Sequence, residues 1–134
     1  MSSADTLRDA AFAAMENAYA PYSRFRVGAA VRSSGGVIVT GCNVENAAYG
    51  EALCAERVAV AAAVAQGIKE FDEIAIASES DDPSPPCGSC RQTMSEFAPD
   101  LRVTSYARNG KTATWRLADL LPEAFATNHL RGRQ

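Results

Sequence analysis

The sequence predicts a mixed α/β sandwich, and three observations predict it. Apolar residues recur at helical spacing near the start of the chain, two apolar runs flank a glycine turn directly after it, and helical and strand-like stretches then alternate. The elements follow in order. Leu7, Ala11, Phe12, Met15, Ala18 and Tyr19 place a helix over about Asp5 to Tyr19, ended by Ala20-Pro21-Tyr22. Arg26 to Arg32 and Val37 to Thr40, joined by Ser33-Ser34-Gly35-Gly36, read as a hairpin. Asn43 to Leu53 has no clean period. Cys54 to Gln66 is alanine-rich and followed by Gly67, a common helix stop, so a second helix starts at Cys54. Glu73 to Ser78 reads as a strand, and Ser78 to Pro86 as an exposed polar loop. Gly88 to Phe97 reads as a helix and Leu101 to Tyr106 as a strand; Lys111 to Arg116 forms a last strand across an Asn109-Gly110 turn.

The totals narrow the function classes. A chain of 134 residues with no internal repeat or long linker is expected to form one domain, residues 1–134, with a real core. A formal charge of −3 leaves no basic footprint for a nucleic acid polymer. The longest apolar stretch, around Val58 to Ala65, is too short to span a bilayer, and Asp5, Arg8 and Asp9 stand where a signal peptide would be apolar. The expectation is a soluble cytoplasmic protein with no membrane partner.

Four cysteines, Cys42, Cys54, Cys87 and Cys90, raise a disulfide framework as one reading. In a reducing compartment the Cys87-x-x-Cys90 spacing instead favours a metal. Cys54, Cys87 and Cys90 supply three thiolates and Glu56 a carboxylate, which matches a catalytic zinc site: three protein ligands, a fourth position for water, and an unliganded acid. Cys54 at the start of one helix and Cys87 and Cys90 in the first turn of another bring two helix amino ends to one point, where partial positive charge favours thiolates. Glu56 is placed to move protons between water and a leaving group, although a first-turn glutamate is by itself an ordinary helix feature. Three thiolates also call for positive compensation, and Arg57 and Arg91 are the candidates to donate to the sulfurs from behind. His129, the sole histidine, lies in a polar tail and joins neither cysteine run. Cys42 reads as a small buried side chain, since a fourth thiolate would close the sphere and make the site structural.

Cys54-Ala55-Glu56 followed by Pro86-Cys87-Gly88-Ser89-Cys90 resembles the signature of the zinc nucleoside and nucleobase deaminases. The likeness extends along the chain. Tyr19-Ala20-Pro21-Tyr22-Ser23-Arg24-Phe25, Val27-Gly28-Ala29-Ala30, Gly41-Cys42-Asn43-Val44-Glu45-Asn46-Ala47-Ala48-Tyr49, Cys87-Gly88-Ser89-Cys90-Arg91-Gln92 and Leu120-Leu121-Pro122 are all similar to the small homotetrameric cytidine deaminases. The resemblance implies a three-layer α/β/α fold with a mixed five-stranded sheet, one zinc per subunit, and hydrolytic deamination of cytidine and deoxycytidine in pyrimidine salvage. It implies that Glu56 carries protons to N3 and to the departing ammonia, that Asn43 and Glu45 bind ribose hydroxyls, that Phe25 packs on the pyrimidine, and that the Ala55 backbone meets the base edge. It further implies a homotetramer in which Tyr49 and Phe125 contact substrate bound in a neighbouring chain; Ala126 departs from the glycine or proline common beside the latter. The resemblance also implies an antiparallel last strand pair, with which the Asn109-Gly110 turn agrees, and hence a free nucleoside rather than a polynucleotide. Two other readings stay open at this point: a deaminase of a modified cytosine nucleoside such as blasticidin, and a non-catalytic zinc-stapled binding module.

Overall fold

The computed structural model describes residues 2–133, without the side chains of 131–133. Five strands form one sheet in the order β2-β1-β3-β4-β5, namely β1 Val27–Ser33, β2 Ile38–Cys42, β3 Phe71–Ser78, β4 Arg102–Tyr106 and β5 Thr112–Arg116. Only β3 and β4 pair in parallel; the other neighbours run antiparallel, so the sheet is mixed, as expected. α1 (Ser3–Met15) covers one face, α2 (Ala55–Ala65) and α3 (Gly88–Phe97) the other, and the short α4 (Leu117–Leu120) follows β5.

Side-chain alternation in the central strands explains the three layers. In β1 and β3, Ala29, Val31, Ile74 and Ile76 face α2 and α3, while Ala30, Ala75 and Ala77 meet Leu7 and Ala11 of α1. Successive residues of a strand point to opposite faces, so strands with helices on both sides lose the polar alternation of a one-sided sheet. Alanine dominates the α1 side, which lets that helix lie close; the branched residues fill the deeper side.

Glycine sets how closely two helices approach. A Cβ on Gly28 would stand 2.0 Å from Ala11 O of α1, and one on Gly41 would stand 2.4 Å from Ala59 N and 2.7 Å from Ala55 O of α2. No side chain fits at either crossing. Turns use glycine differently: Gly36, Gly67 and Gly110 adopt φ of 91°, 86° and 93°, the left-handed region in which a side chain is strained.

Element boundaries moved where tertiary pairing outweighed periodicity. α1 begins at Ser3, with the Ser2 hydroxyl accepting from Asp5 N, and it stops four residues before Tyr19. Tyr19 instead donates its N–H to Asn43 O and accepts from Glu45 N, so it pairs with the segment after β2, while Ala18 N still donates to Met15 O at the helix end. β3 starts two residues earlier than its apolar run, because Phe71 pairs with Ser33 across a bulge. The aperiodic segment from Asn43 to Leu53 is tied by a Val44–Leu53 bridge around one turn of 3-10 helix, Tyr49–Glu51. No helix among the described residues is long and apolar enough to cross a membrane.

Candidate active site

β2 and β3 point the same way, because each is antiparallel to β1, and β4 is parallel to β3. The carboxyl ends of all three therefore share one edge of the sheet, where Gly28 pairs with both Cys42 and Ala77 and Ala77 pairs with Tyr106. α2 and α3 both begin at this edge. Cys54 is the N-cap of α2 and Cys87 the N-cap of α3, each in extended backbone, and neither sulfur caps its own helix. Those sulfurs remain free for another partner. Cys90, one turn into α3, is fully buried.

The three sulfurs lie within 4.8 Å of one another, with Cys54 to Cys87 at 3.6 Å and Cys87 to Cys90 at 3.3 Å. Zinc–sulfur bonds of about 2.3 Å in tetrahedral geometry put ligand sulfurs about 3.8 Å apart, so the donor set fits zinc in both chemistry and spacing. Cys42 stays outside this group, at the end of β2, and is half-buried where a small buried side chain was expected. All four cysteines carry free thiols, so the disulfide reading does not hold here.

The surroundings of the sulfurs push their thiols in opposite directions. Interaction with the Cys90 thiol, then with Cys87 and the Arg57 cation, brings Cys54 down to about 6, against the cost of its partial burial. Cys90 moves up for the reciprocal reasons, its contact with Cys54 first and its burial second. Glu56, in the first turn of α2, is only 5% exposed. Burial pushes its carboxyl above the ordinary range and the Cys54 charge adds to that, while Arg57 pulls the other way. A buried acid of raised pKa beside a three-thiolate site suits proton transfer at neutral pH.

A cavity of about 290 Å³ opens beside the sulfurs, lined among others by Phe25, Asn43, Glu45, Ala55 and Glu56. The expected metal, proton-transfer, base and ribose residues thus meet in one place. Asn43 fastens the entrance: its Nδ2 donates to Phe25 O and its Oδ1 accepts from Val27 N, both at 2.9 Å. Glu45 Oε1 accepts from the N–H groups of Tyr22 and Ser23, and the Ser23 hydroxyl donates to Oε2. These bonds, that of the hydroxyl foremost, hold the carboxyl of Glu45 below its usual range.

The remaining expected residues lie outside this cavity, as Tyr49 and Phe125 should if they serve a neighbouring chain. Tyr49 is 78% exposed with its ring edge-on to Tyr22, and Phe125 is 60% exposed and stacked on His129; neither lines the cavity. Arg57 donates to Ser89 Oγ at 3.0 Å and reaches the sulfurs only through its field. Arg91 donates to Pro86 O at 2.8 Å and Leu120 O at 2.9 Å, so its hydrogen bonds go to carbonyl oxygens where sulfur was expected. It braces the Pro86-Cys87 turn against α4. Val27, Leu53, Ile76, Ser84 and Pro85 also line the cavity, and sequence reasoning passed over them. Ser84 and Pro85 directly precede the Pro86-Cys87 turn, and that adjacency was a usable signal; Leu53 and Ile76 look like any core residue in the sequence.

Residues 1–106 match the cytidine and deoxycytidylate deaminase zinc-binding region. A cytidine deaminase from Halalkalibacterium halodurans is 41% identical over 121 residues, 90% of this chain and 92% of that protein. The crystal structure of cytidine deaminase from Burkholderia pseudomallei superposes with a TM-score of 0.88 at 48% identity, covering 90% of this chain and 98% of that one. A blasticidin-S deaminase from Bacillus cereus is more distant, 33% identical over 79% of this chain and 81% of that protein. With three sulfurs gathered at two helix tips, a buried acid on the same cavity and likeness over nine-tenths of its length, this chain belongs to the zinc-binding cytidine and deoxycytidylate deaminase family.

Proposed function

We infer that this chain is a cytidine deaminase, converting cytidine and deoxycytidine with water to uridine and deoxyuridine and releasing ammonia. The observation that carries the inference is the nearly inaccessible Glu56 carboxyl facing the same cavity as Cys54, Cys87, Asn43 and Glu45. Zinc, when held by Cys54, Cys87 and Cys90, supplies a Lewis acid that brings the pKa of a coordinated water from 15.7 to about 7. Glu56 takes a proton from the attacking water as the new bond forms at C4, and delivers it to N3. It then carries the second proton to the amino group as the C4–N bond breaks. Desolvation suits the carboxyl to both halves of this cycle, since a group with a pKa nearer the working pH accepts and returns protons readily.

Asn43 and Glu45 take the sugar hydroxyls and Phe25 the face of the pyrimidine, with the Ala55 backbone at the base edge. No Lys or Arg is found among the described residues lining the cavity. The cavity wall thus offers a phosphate no cationic partner among the described residues, which supports nucleosides over nucleotides. The chain acts as one domain, and the working enzyme is a homotetramer in which the exposed Tyr49 and Phe125 rings complete the pocket of a neighbour. A reducing cytoplasm, which keeps the sulfurs available to zinc, and a role in pyrimidine salvage complete the reading.

The test is a substrate panel on zinc-loaded protein, following loss of cytosine absorbance with cytidine, deoxycytidine, deoxycytidylate and blasticidin S. Cytidine and deoxycytidine are expected to be turned over best. Inert cytidine beside rapid blasticidin S turnover would replace this activity with that of the antibiotic deaminase. Sedimentation of the same sample tests the tetramer.

A further inference from the structure

Ser23 touches both halves of the nucleoside pocket through one oxygen. Its hydroxyl donates to Glu45 Oε2 and accepts from Phe25 N at 3.0 Å. The main chain around it is constrained as well. Arg24, between Ser23 and Phe25, sits at φ 58°, a left-handed conformation uncommon for a residue with a long side chain, and its N–H donates to Ala20 O at 3.0 Å. On the far side of Phe25, Asn43 Nδ2 donates to its carbonyl oxygen at 2.9 Å. The amide and the carbonyl of Phe25 are therefore both held by side chains, one from Ser23 and one from Asn43.

We propose that Ser23 is a positioning residue that sets the Glu45 carboxylate and the Phe25 ring in register with each other, so that sugar and base are recognised as one unit. Two N–H groups occupy Oε1 of Glu45, and the hydroxyl of Ser23 fixes the orientation of Oε2, leaving that oxygen's remaining lone pair to accept from a sugar hydroxyl. The Ser23 hydroxyl donates to Glu45 while its lone pair accepts the N–H of Phe25, and each bond polarises the oxygen in favour of the other. Losing the hydroxyl frees both. The inference rests on the assignment of Glu45 and Phe25 to the nucleoside.

Steady-state kinetics with cytidine on zinc-loaded protein tests it. Ser23→Ala is expected to raise KM about tenfold, the size of one lost charge-assisted hydrogen bond, while kcat stays within about twofold because Glu56 and the three cysteines are untouched. Ser23→Thr, which keeps the hydroxyl, should bring KM back to within about twofold of wild type. Combining Ser23→Ala with Phe25→Leu should raise KM by less than the product of the single effects, since the two residues act through one contact. A Ser23→Ala enzyme with wild-type KM would overturn the proposal, as would a Ser23→Thr enzyme no better than Ser23→Ala. Loss of folded, zinc-loaded protein on Ser23→Ala would also overturn it, because an exposed positioning hydroxyl is dispensable for folding. A wild-type chain inert toward cytidine and deoxycytidine is a different result, and defeats the activity itself.

Discussion

Adding one methyl group at Gly41 tests whether the backbone of α2 positions the zinc site. In Gly41→Ala the new Cβ would lie 2.4 Å from Ala59 N, 2.7 Å from Ala55 O and 2.9 Å from Ala59 Cα, all of them main-chain atoms in the first turns of α2. No flexible side chain can move aside, so relief to ordinary contact near 3.4 Å requires the helix to retreat by about 1 Å. Cys54 caps that helix and Glu56 stands in its first turn, so both move with it, whereas Cys87 and Cys90 stay on α3. Zinc sites tolerate roughly 0.2 Å in ligand distance, and a misplacement of about 1 Å near reacting groups costs on the order of 10²-fold in rate. Overpacking itself costs about 1–3 kcal/mol, or roughly 4–12 °C in Tm for a domain of this size. Gly28→Ala is the control, with a harder clash, 2.0 Å from Ala11 O, on the opposite face of the sheet. Melting curves, zinc competition with a chromogenic chelator and kcat/KM should separate the two. Both variants should lose stability, but only Gly41→Ala should lose zinc affinity and about 10² in kcat/KM per folded molecule. Wild-type zinc affinity and kcat/KM in folded Gly41→Ala would refute the claim that the helix carries the site.

Three further outcomes follow from the same geometry. Glu56→Gln should keep its zinc and lose about 10²–10⁴ in kcat; in zinc-free protein it should also be more stable than wild type at neutral pH. Burial raises the folded carboxyl above its unfolded value, so wild-type stability is fully present below the ordinary glutamate range and falls as pH climbs through the raised one. The gap between the two proteins should therefore widen with rising pH in urea titrations, and a gap that narrows would contradict the desolvation argument. Cys87→Ala should lose zinc by elemental analysis, whereas Cys42→Ala should retain one equivalent; zinc loss on Cys42→Ala would mean a closed, structural site. Arg91→Lys should weaken zinc binding about 10–100-fold, as for a lost supporting contact, because one ammonium cannot span both Pro86 O and Leu120 O as the guanidinium does; unchanged chelator competition would count against that brace.

The metal ligands were legible in the sequence because their chemistry is local. Cys54 and Glu56 share the start of α2, and Cys87 and Cys90 share the start of α3, so spacing alone brought each pair together. The boundaries of α3 were read to the residue for a related reason: Pro86 and the Cys87 cap mark its start sharply. Long-range effects were not legible. Periodicity carried α1 on to Tyr19, since nothing nearby reveals that its backbone pairs with Asn43 and Glu45 more than twenty residues away. Arg91 pointed toward sulfur on sequence position, but the carbonyl of Leu120, from another element, takes its Nη1. Ser23 stands in the quoted motif without a role for the same reason. A serine after Pro21-Tyr22 reads as a turn residue, and only the fold brings Glu45 against it.

The arrangement resolves a charge problem inherent in the sequence. Three thiolates and a carboxylate within one small site repel one another, and the two arginines that sequence proximity offers do not bond the sulfurs directly. The fold answers with backbone. Because β2, β3 and β4 end at one edge, the helices after that edge begin there, and the amino ends of α2 and α3 converge on the same cluster. Each end contributes roughly half a positive charge in unpaired N–H groups, and these cannot swing away as a side chain can. Arg57 adds a field at Cys54 without occupying a lone pair of its sulfur, and Arg91 holds the turn that delivers Cys87. Positive charge is therefore fixed by main-chain direction, which leaves the sulfurs free to bind metal and leaves Glu56 as the one buried group of the cluster free to exchange a proton. Gly41 is a precondition of that geometry, since only a residue without a side chain lets α2 lie close enough to bring its amino end to the cluster.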